Sequence, residues 1–185
     1  MTSRGLMVAL AATLSLANAQ PGPPVNSGAA ILQDFEKRVA GYVKAHKAAE
    51  GKLHSLKPTP SPEKIAHHER ELRRSIREAR RSARAGDIFT PEISAEFRRL
   101  IGLAMQAGNA SRIKGSLKSD EPVALRLRVN DAYPERVPLQ STPPTLLLNL
   151  PHLPAEVEYR VVGHDLALLD VKANLIVDLI HNAIP

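Results

Sequence analysis

The chain has 185 residues, of which 43% are hydrophobic, and it carries 25 Lys and Arg residues against 19 Asp and Glu residues. It contains no Cys and no Trp. This length favours one domain, or one small domain with an appendage, over two full hydrophobic cores. The composition excludes a disulfide framework, a thiol nucleophile and a cysteine-based zinc or iron–sulfur site.

Residues 1–19 have the pattern of a secretory signal peptide. Arg4 supplies the positive charge, an apolar stretch follows it, and Ala17-Asn18-Ala19 matches a small-residue cleavage site. The apolar stretch is shorter than the about 20 residues that a membrane-spanning helix needs, and no later segment is long and apolar enough to span. The sequence therefore predicts an exported protein, periplasmic or extracellular, that begins with a Pro-rich leader at residues 20–26.

Charge divides the rest of the chain. Residues 20–118 carry 19 Lys and Arg against 10 Asp and Glu, whereas residues 119–185 carry 5 against 9. This asymmetry predicts two regions: a basic helical region at residues 27–118, and a Pro-rich segment with a small β-meander at residues 119–185. The alternative is that the two halves dock and complement each other electrostatically.

The first helix of the basic region is predicted from about Ser27 to the low fifties, because apolar residues recur there at helical spacing. It must end before residues 57–62, where three prolines each lack an N–H group and restrict the preceding residue. The helix that follows is expected to pack against it as a hairpin.

The second and third helices have the same start signal. Ser61 is a predicted N-cap with proline after it, and the second helix is expected to run to about Ala85 and end at Gly86. Thr90 repeats the signal, and the apolar residues that follow, from Ile93 onward, give the third helix a buried face.

The C-terminal half is predicted to form a sheet. Apolar residues alternate with others over residues 123–129, which is typical of a strand, and the Pro-rich stretch 133–154 is expected to be irregular apart from a helical turn near Leu146–Leu150. Three short strands are predicted at Val157–Val162, Leu166–Asp170 and Leu175–Ile180. The fold class is therefore α+β, with a helical hairpin and a third helix followed by a small antiparallel β-meander that the helices cover.

The second helix carries an unusual number of arginines on one side. At 3.6 residues per turn they fall within an arc of about 120°. They are Arg70, Arg73, Arg74, Arg77, Arg80, Arg81 and Arg84. A guanidinium group can donate two hydrogen bonds to one phosphate, so the stripe predicts binding to lipid head groups or another anionic envelope polymer. Export and the lack of aromatic residues in this helix make nucleic acid an unlikely partner.

The alternative interpretation is that these arginines are merely solvated. Glu69, Glu71 and Glu78 stand three or four residues before an arginine and would partly neutralise the stripe. The protein would then be a structural or protein–protein interaction domain, whose helical hairpin docks on another envelope protein or on a second copy.

Three histidines near the proline turn form a weak candidate metal site. His54 precedes the turn and His67 and His68 follow it, so an antiparallel hairpin could bring them together. Two adjacent helical residues cannot face the same way, however, and the chain has no HExxH motif. We therefore expect exposed or boundary histidines and no metal.

Enzyme signatures are mostly absent from the sequence: Ser61-x-x-Lys64 and Ser111-x-x-Lys114 match the S-x-x-K pattern, but composition alone predicts such matches by chance. The chain has no GxSxG, P-loop or GxGxxG motif, so we expect no enzymatic activity and no cofactor, and we assign no catalytic residue. Asp170 and Asp178 could be considered as a carboxylate pair. Acids at the edges of short strands are more commonly turn or solvent-facing residues, which is the expectation for both.

Two stretches resemble a family of uncharacterised bacterial proteins that carry signal peptides. They are residues 86–101 (GDIFTPEISAEFRRLI) and residues 153–185 (LPAEVEYRVVGHDLALLDVKANLIVDLIHNAIP). The two stretches make up 49 of the 166 residues that follow the signal peptide, and the resemblance is expected to extend over about half of them. It implies export, but no activity or functional residue.

A fainter resemblance links residues 163–170 to the closing hairpin of a periplasmic nickel and cobalt homeostasis family. The second turn of this chain is Lys172-Ala173-Asn174, where that family is expected to have a glycine. A role in metal homeostasis is therefore not inferred.

Overall fold

The computed structural model describes residues 27–106, 126–134 and 142–185, together with residues 111, 113 and 115. The helices are α1 (Ser27–Glu50), α2 (Pro62–Ala79), α3 (Pro91–Ala104) and α4 (Pro144–Leu147), and the strands are β1 (Val157–Val162), β2 (Asp165–Asp170) and β3 (Leu175–Ile180). This order confirms the predicted α+β fold. The predicted signal peptide and Pro-rich leader lie outside the described residues.

The helix α1 has one buried side. Its buried residues recur every three or four positions and are Phe35, Val39, Tyr42, Val43, His46 and Ala49. The backbone N–H of Gly51 donates to the carbonyl of Lys47 at 2.9 Å and closes the last turn. The helix therefore ends at Glu50, just before the predicted end in the low fifties.

The helix α2 begins as predicted and ends earlier than predicted. The Ser61 hydroxyl accepts a hydrogen bond from the Lys64 N–H at 3.3 Å, and Pro62 is the first helical residue. The expected end near Ala85 is wrong, because Arg80 leaves the helical conformation at φ −120°. The Asn130 side-chain amide donates to the Arg80 carbonyl at 2.8 Å, so a distant residue caps the helix.

The helix α3 follows the predicted pattern. The Thr90 hydroxyl accepts from the Ile93 N–H at 3.3 Å, and the apolar side of the helix is buried. A cluster of aromatic rings joins α3 to α1 and β1, with centroids 4.8–6.4 Å apart. Its members are Phe35, Phe89, Phe97 and Tyr159.

The three strands form an antiparallel meander in the order β1-β2-β3. Gly163 turns the chain between β1 and β2 at φ 59°, and Asn174 turns it between β2 and β3 at φ 46°. One face of the sheet packs on the helices, in a core that draws residues from both halves of the chain. The opposite face is covered by Leu127 and Tyr133, so both faces are buried.

The predicted strand at 123–129 is not formed over residues 126–129. Asn130 adopts φ 67°, which turns the chain sharply, and its N–H donates to the Ile176 carbonyl at 2.8 Å. Only an isolated bridge between Ala132 and Leu175 has strand geometry in this segment. The segment therefore runs along the edge of β3 as an irregular cover, while residues 123–125 lie outside the described residues.

Candidate anion-binding surface

The structure separates the seven arginines into outer and inner groups. Five are exposed, whereas Arg73 and Arg80 are partly buried. Four of the exposed ones follow one another at intervals of three or four residues, and we call them the arginine ridge: Arg70, Arg74, Arg77 and Arg81. Together with Arg73 and Glu78, the ridge lines a shallow open depression of about 500 Å³.

The arginine ridge is only weakly neutralised by neighbouring acids. Arg77 lies 3.4 Å from Asp131, and Arg74 lies 3.8 Å from Glu71. All four side chains of these pairs are more than a third exposed, and exposed ion pairs contribute little. Arg70 and Arg81 have no ion pair among the described residues. The ridge therefore keeps an excess of positive charge that an external anion can meet.

Arg73 belongs to the inner group because it connects α2 to the turn between β2 and β3. Its side chain is 13% exposed. The guanidinium donates to the Glu69 carboxylate at 2.9 Å and to the Ala173 carbonyl at 3.1 Å, with a longer contact to the Asn174 carbonyl. Because these contacts occupy the guanidinium group, the main role of Arg73 is structural.

Arg80 is the second inner arginine. It donates to the Asn130 side-chain oxygen and to the Val177 carbonyl, both at 3.1 Å. Its guanidinium carbon lies 4.9 Å from the centre of the Tyr42 ring, which is cation–π geometry. Burial lowers the pKa of Arg80 from its ordinary value. Arg80 therefore links α2 to β3 and α1, while the exposed Arg84 only extends the outer group.

Asp170, expected at a solvent-facing position, is completely buried, so that expectation is wrong. One carboxylate oxygen lies 2.5 Å from both the Tyr42 hydroxyl and His46 Nδ1, and the other accepts from the Ala173 N–H at 2.8 Å. The bond to Asp170 raises the pKa of His46, against the opposing effect of burial. Burial and the nearby Asp170 raise the pKa of Tyr42.

Asp178 is also completely buried, with different partners. Its carboxylate accepts from the N–H groups of Gly86, Ile88 and Phe89 at 2.7–3.0 Å, and from the Leu179 N–H at 2.8 Å. These bonds fix the loop between α2 and α3. The two acids are therefore separate structural anchors rather than a carboxylate pair.

The sequence contained a signal for these buried acids. Each stands inside a run of apolar residues, LALLDV for Asp170 and LIVDLI for Asp178. Charged residues are almost never fully buried unless they are paired, so an acid in a continuously buried strand requires partners. Tyr42 and His46, the partners of Asp170, are buried as well.

The histidines near the proline turn do not form a metal site in the structure. His67 lies 3.5 Å from Glu71, and His54 is exposed. Over the described ranges, no group of three or more His, Cys, Asp or Glu side chains is placed to hold a metal ion.

Comparisons with known proteins identify no relative. No protein-family model, curated protein or solved structure matches the chain. Within the part of the chain that the structure describes, the helices are all too short or too polar to cross a membrane.

Proposed function

We propose that the protein is an exported, non-catalytic binding module whose arginine ridge contacts a phosphate-bearing component of the cell envelope. The carrying observation is the depression of about 500 Å³ lined by five arginines and one glutamate, in which the two ion pairs of the ridge are long and exposed. Lipid head groups and an anionic envelope polymer share the phosphate chemistry that such a surface recognises.

Export is the second part of the proposal, and the sequence of residues 1–19 supports it. An exported protein meets anionic lipids and polymers rather than intracellular nucleic acid. The ridge also lacks the aromatic side chains on which single-stranded bases would stack.

Co-sedimentation with vesicles tests the ridge. The purified protein is mixed with phosphatidylcholine vesicles, with and without phosphatidylglycerol, at low and moderate salt. We expect binding only to the vesicles with phosphatidylglycerol, and binding that weakens as salt rises. Inorganic polyphosphate, added as a soluble competitor, distinguishes a lipid head group from an anionic polymer as the ligand. A surface that binds a polymer would prefer polyphosphate to the vesicle.

Two charge-matched variants make the test specific to the ridge. The first replaces the four ridge arginines with glutamine and leaves the inner arginines in place, because those stabilise the fold. The second replaces four exposed lysines outside the ridge and lowers the net charge equally: Lys37, Lys44, Lys52 and Lys64. Binding should be lost in the first variant and kept in the second. Equal loss in both would leave only non-specific attraction and contradict the proposal.

The alternative, a protein–protein interaction domain, has one observation in its favour. Leu103 of α3 and Leu147 of α4 are 48% and 42% exposed, and the next residue, Leu148, is 85% exposed. Exposed apolar side chains that lie together are typical of interaction surfaces, and Leu147 and Leu148 are adjacent in the chain. Absence of any anion binding, with persistent self-association that Leu148→Ser abolishes, would favour this alternative.

A further inference from the structure

A second surface of the protein is a cleft on the other side of α2 from the arginine ridge. It encloses about 730 Å³ between the end of α1, the following loop, the start of α2 and the turn between β2 and β3. Ile65, His68 and Glu69 line it, and at 100° per residue these positions point away from Arg70 and Arg74. This volume is in the range of small-molecule sites.

The cleft collects exposed apolar side chains from three parts of the chain. Leu56 of the loop is 41% exposed, Ile65 of α2 is 48% exposed, and Val171 after β2 is 49% exposed. The described residues contain six large hydrophobic side chains with such exposure, so half of them line this one cleft. Concentrated exposed apolar surface in a concavity indicates a binding site.

Lys172 is the group of the cleft that could bind an anionic head group. Lys172 donates to Glu50 at 3.0 Å, while His46 Nε2 lies 3.6 Å from the other oxygen of the same carboxylate. Glu69 is likewise occupied by Arg73. Each carboxylate of the cleft therefore already has a basic partner. Of the two lysines that line the cleft, Lys47 lies 2.9 Å from Glu156, which does not line it, whereas Lys172 is paired among the described residues with the cleft's own Glu50.

Behind Glu50 lies a buried nitrogen atom that has no hydrogen-bond partner among the described residues. This atom is Nε2 of His46, whose side chain is completely buried. Such atoms are rare in folded proteins. If an incoming anion binds Lys172, Glu50 is released from it and can approach Nε2. Anion binding would thus satisfy this atom.

We infer that the cleft binds an amphipathic anion, a molecule with an apolar chain and one terminal carboxylate. The chain lies on Leu56, Ile65 and Val171, and the carboxylate takes the place of Glu50 at the Lys172 ammonium group. This site is separate from the arginine ridge and does not depend on the proposed function.

Titration calorimetry of the purified protein with three probes of equal chain length tests the head-group preference. The probes are decanoate, decanol and decylammonium, each below its micellar concentration. We expect saturable binding of decanoate and no binding of decylammonium. Decanol should bind about tenfold more weakly than decanoate, which is the loss expected for one charge-assisted hydrogen bond. Equal affinity for all three probes, preference for the cation, or no saturable binding would each overturn the inference.

Three substitutions locate the site. Ile65→Ser should weaken decanoate binding by about tenfold through lost apolar contact, and Lys172→Met by at least as much. Glu50→Gln should tighten decanoate binding, because it removes the internal carboxylate that competes for Lys172. A damaged fold cannot produce this gain, so weaker binding by a Glu50→Gln protein with an unchanged circular dichroism spectrum would contradict the inference.

Two control variants separate this site from the other surfaces. Leu148→Ser removes the most exposed apolar side chain elsewhere on the protein, and Arg74→Gln removes a ridge charge. Neither should change decanoate affinity. If Arg74→Gln lowered it while Ile65→Ser did not, the anion would be binding at the ridge and the cleft assignment would be wrong.

Discussion

The outer and inner arginines of α2 and of the turns after it differ in what they contact, although the sequence predicts one helical arc for all seven. Arg80, Arg81 and Arg84 lie beyond the end of α2 at Ala79. The ridge arginines face solvent and have long, exposed ion pairs or none among the described residues. Arg73 and Arg80 instead donate to backbone carbonyls of the sheet region. Helical periodicity identifies a side of a helix, but the neighbouring segments decide which part of that side remains available to a ligand.

Arg80 of the inner group belongs to a buried polar layer. In this layer Arg80 lies over the ring of Tyr42, and the Tyr42 hydroxyl binds Asp170 together with His46. Removing a partner from such a layer leaves another polar group buried and unpaired, whereas removing a ridge arginine leaves at most an exposed acid without its partner. The two regions should therefore respond very differently to substitution.

The largest difference is expected at Asp170. Asp170→Ala leaves the buried Tyr42 hydroxyl, His46 and the Ala173 N–H without their acceptor, and should lower the free energy of unfolding by about 3–5 kcal/mol. Asp131→Ala removes an exposed carboxylate that faces the ridge and should cost at most about 1 kcal/mol. Urea unfolding measures the free energy of unfolding of both variants. Equal losses of stability would mean that the buried layer contributes no more to stability than an exposed ion pair.

A smaller difference in stability is expected between variants of Arg80 and Arg77, which the sequence predicts on the same side of one helix. Arg80→Met removes hydrogen bonds to Asn130 and Val177 and should destabilise the protein by about 2 kcal/mol. Arg77→Met removes one long exposed ion pair and should change stability by less than about 0.5 kcal/mol. Thermal unfolding of the two variants checks this. A melting temperature unchanged by Arg80→Met would contradict the conclusion that Arg80 stabilises the fold.

The pH dependence of stability should also come from the inner layer. Because the bond to Asp170 raises the pKa of His46 above its unfolded value near 6.5, the folded state binds the proton more tightly. The stabilisation is therefore fully present below about pH 6.5 and is lost as pH rises through the folded-state pKa. Urea unfolding across this interval should show a decline that His46→Gln removes. A decline that survives this substitution would assign the effect to another group.

Local signals predicted the parts of the fold whose partners are close in the chain. The starts of α2 and α3 were predicted from Ser61 and Thr90, whose hydroxyls bond to N–H groups three residues later. The end of α2 could not be predicted in this way, because its cap comes from Asn130, 50 residues away. A cap of that kind is visible only after the chain has folded.

The same distinction applies to the candidate site. The helical period predicted one arc of seven arginines, but α2 ends at Ala79, so the period applies only to the four arginines before that residue, and it did not predict the division into outer and inner groups. Asp170 bonds to residues 124 and 128 positions earlier, so the sequence showed only that an acid interrupts an apolar strand. Sequence patterns therefore predict which residues can be functional more readily than which of them are used by the fold.

The smallest stability change is expected at the ridge, where the largest change in binding should occur. Replacing Arg70, Arg74, Arg77 and Arg81 with glutamine should alter the free energy of unfolding by less than about 1 kcal/mol in total, because their acidic neighbours are few and exposed. The same replacement should abolish sedimentation with anionic vesicles and flatten the dependence on salt, since each released counterion contributes to that dependence. A marked loss of stability would show that the ridge, like Arg73 and Arg80, serves the fold.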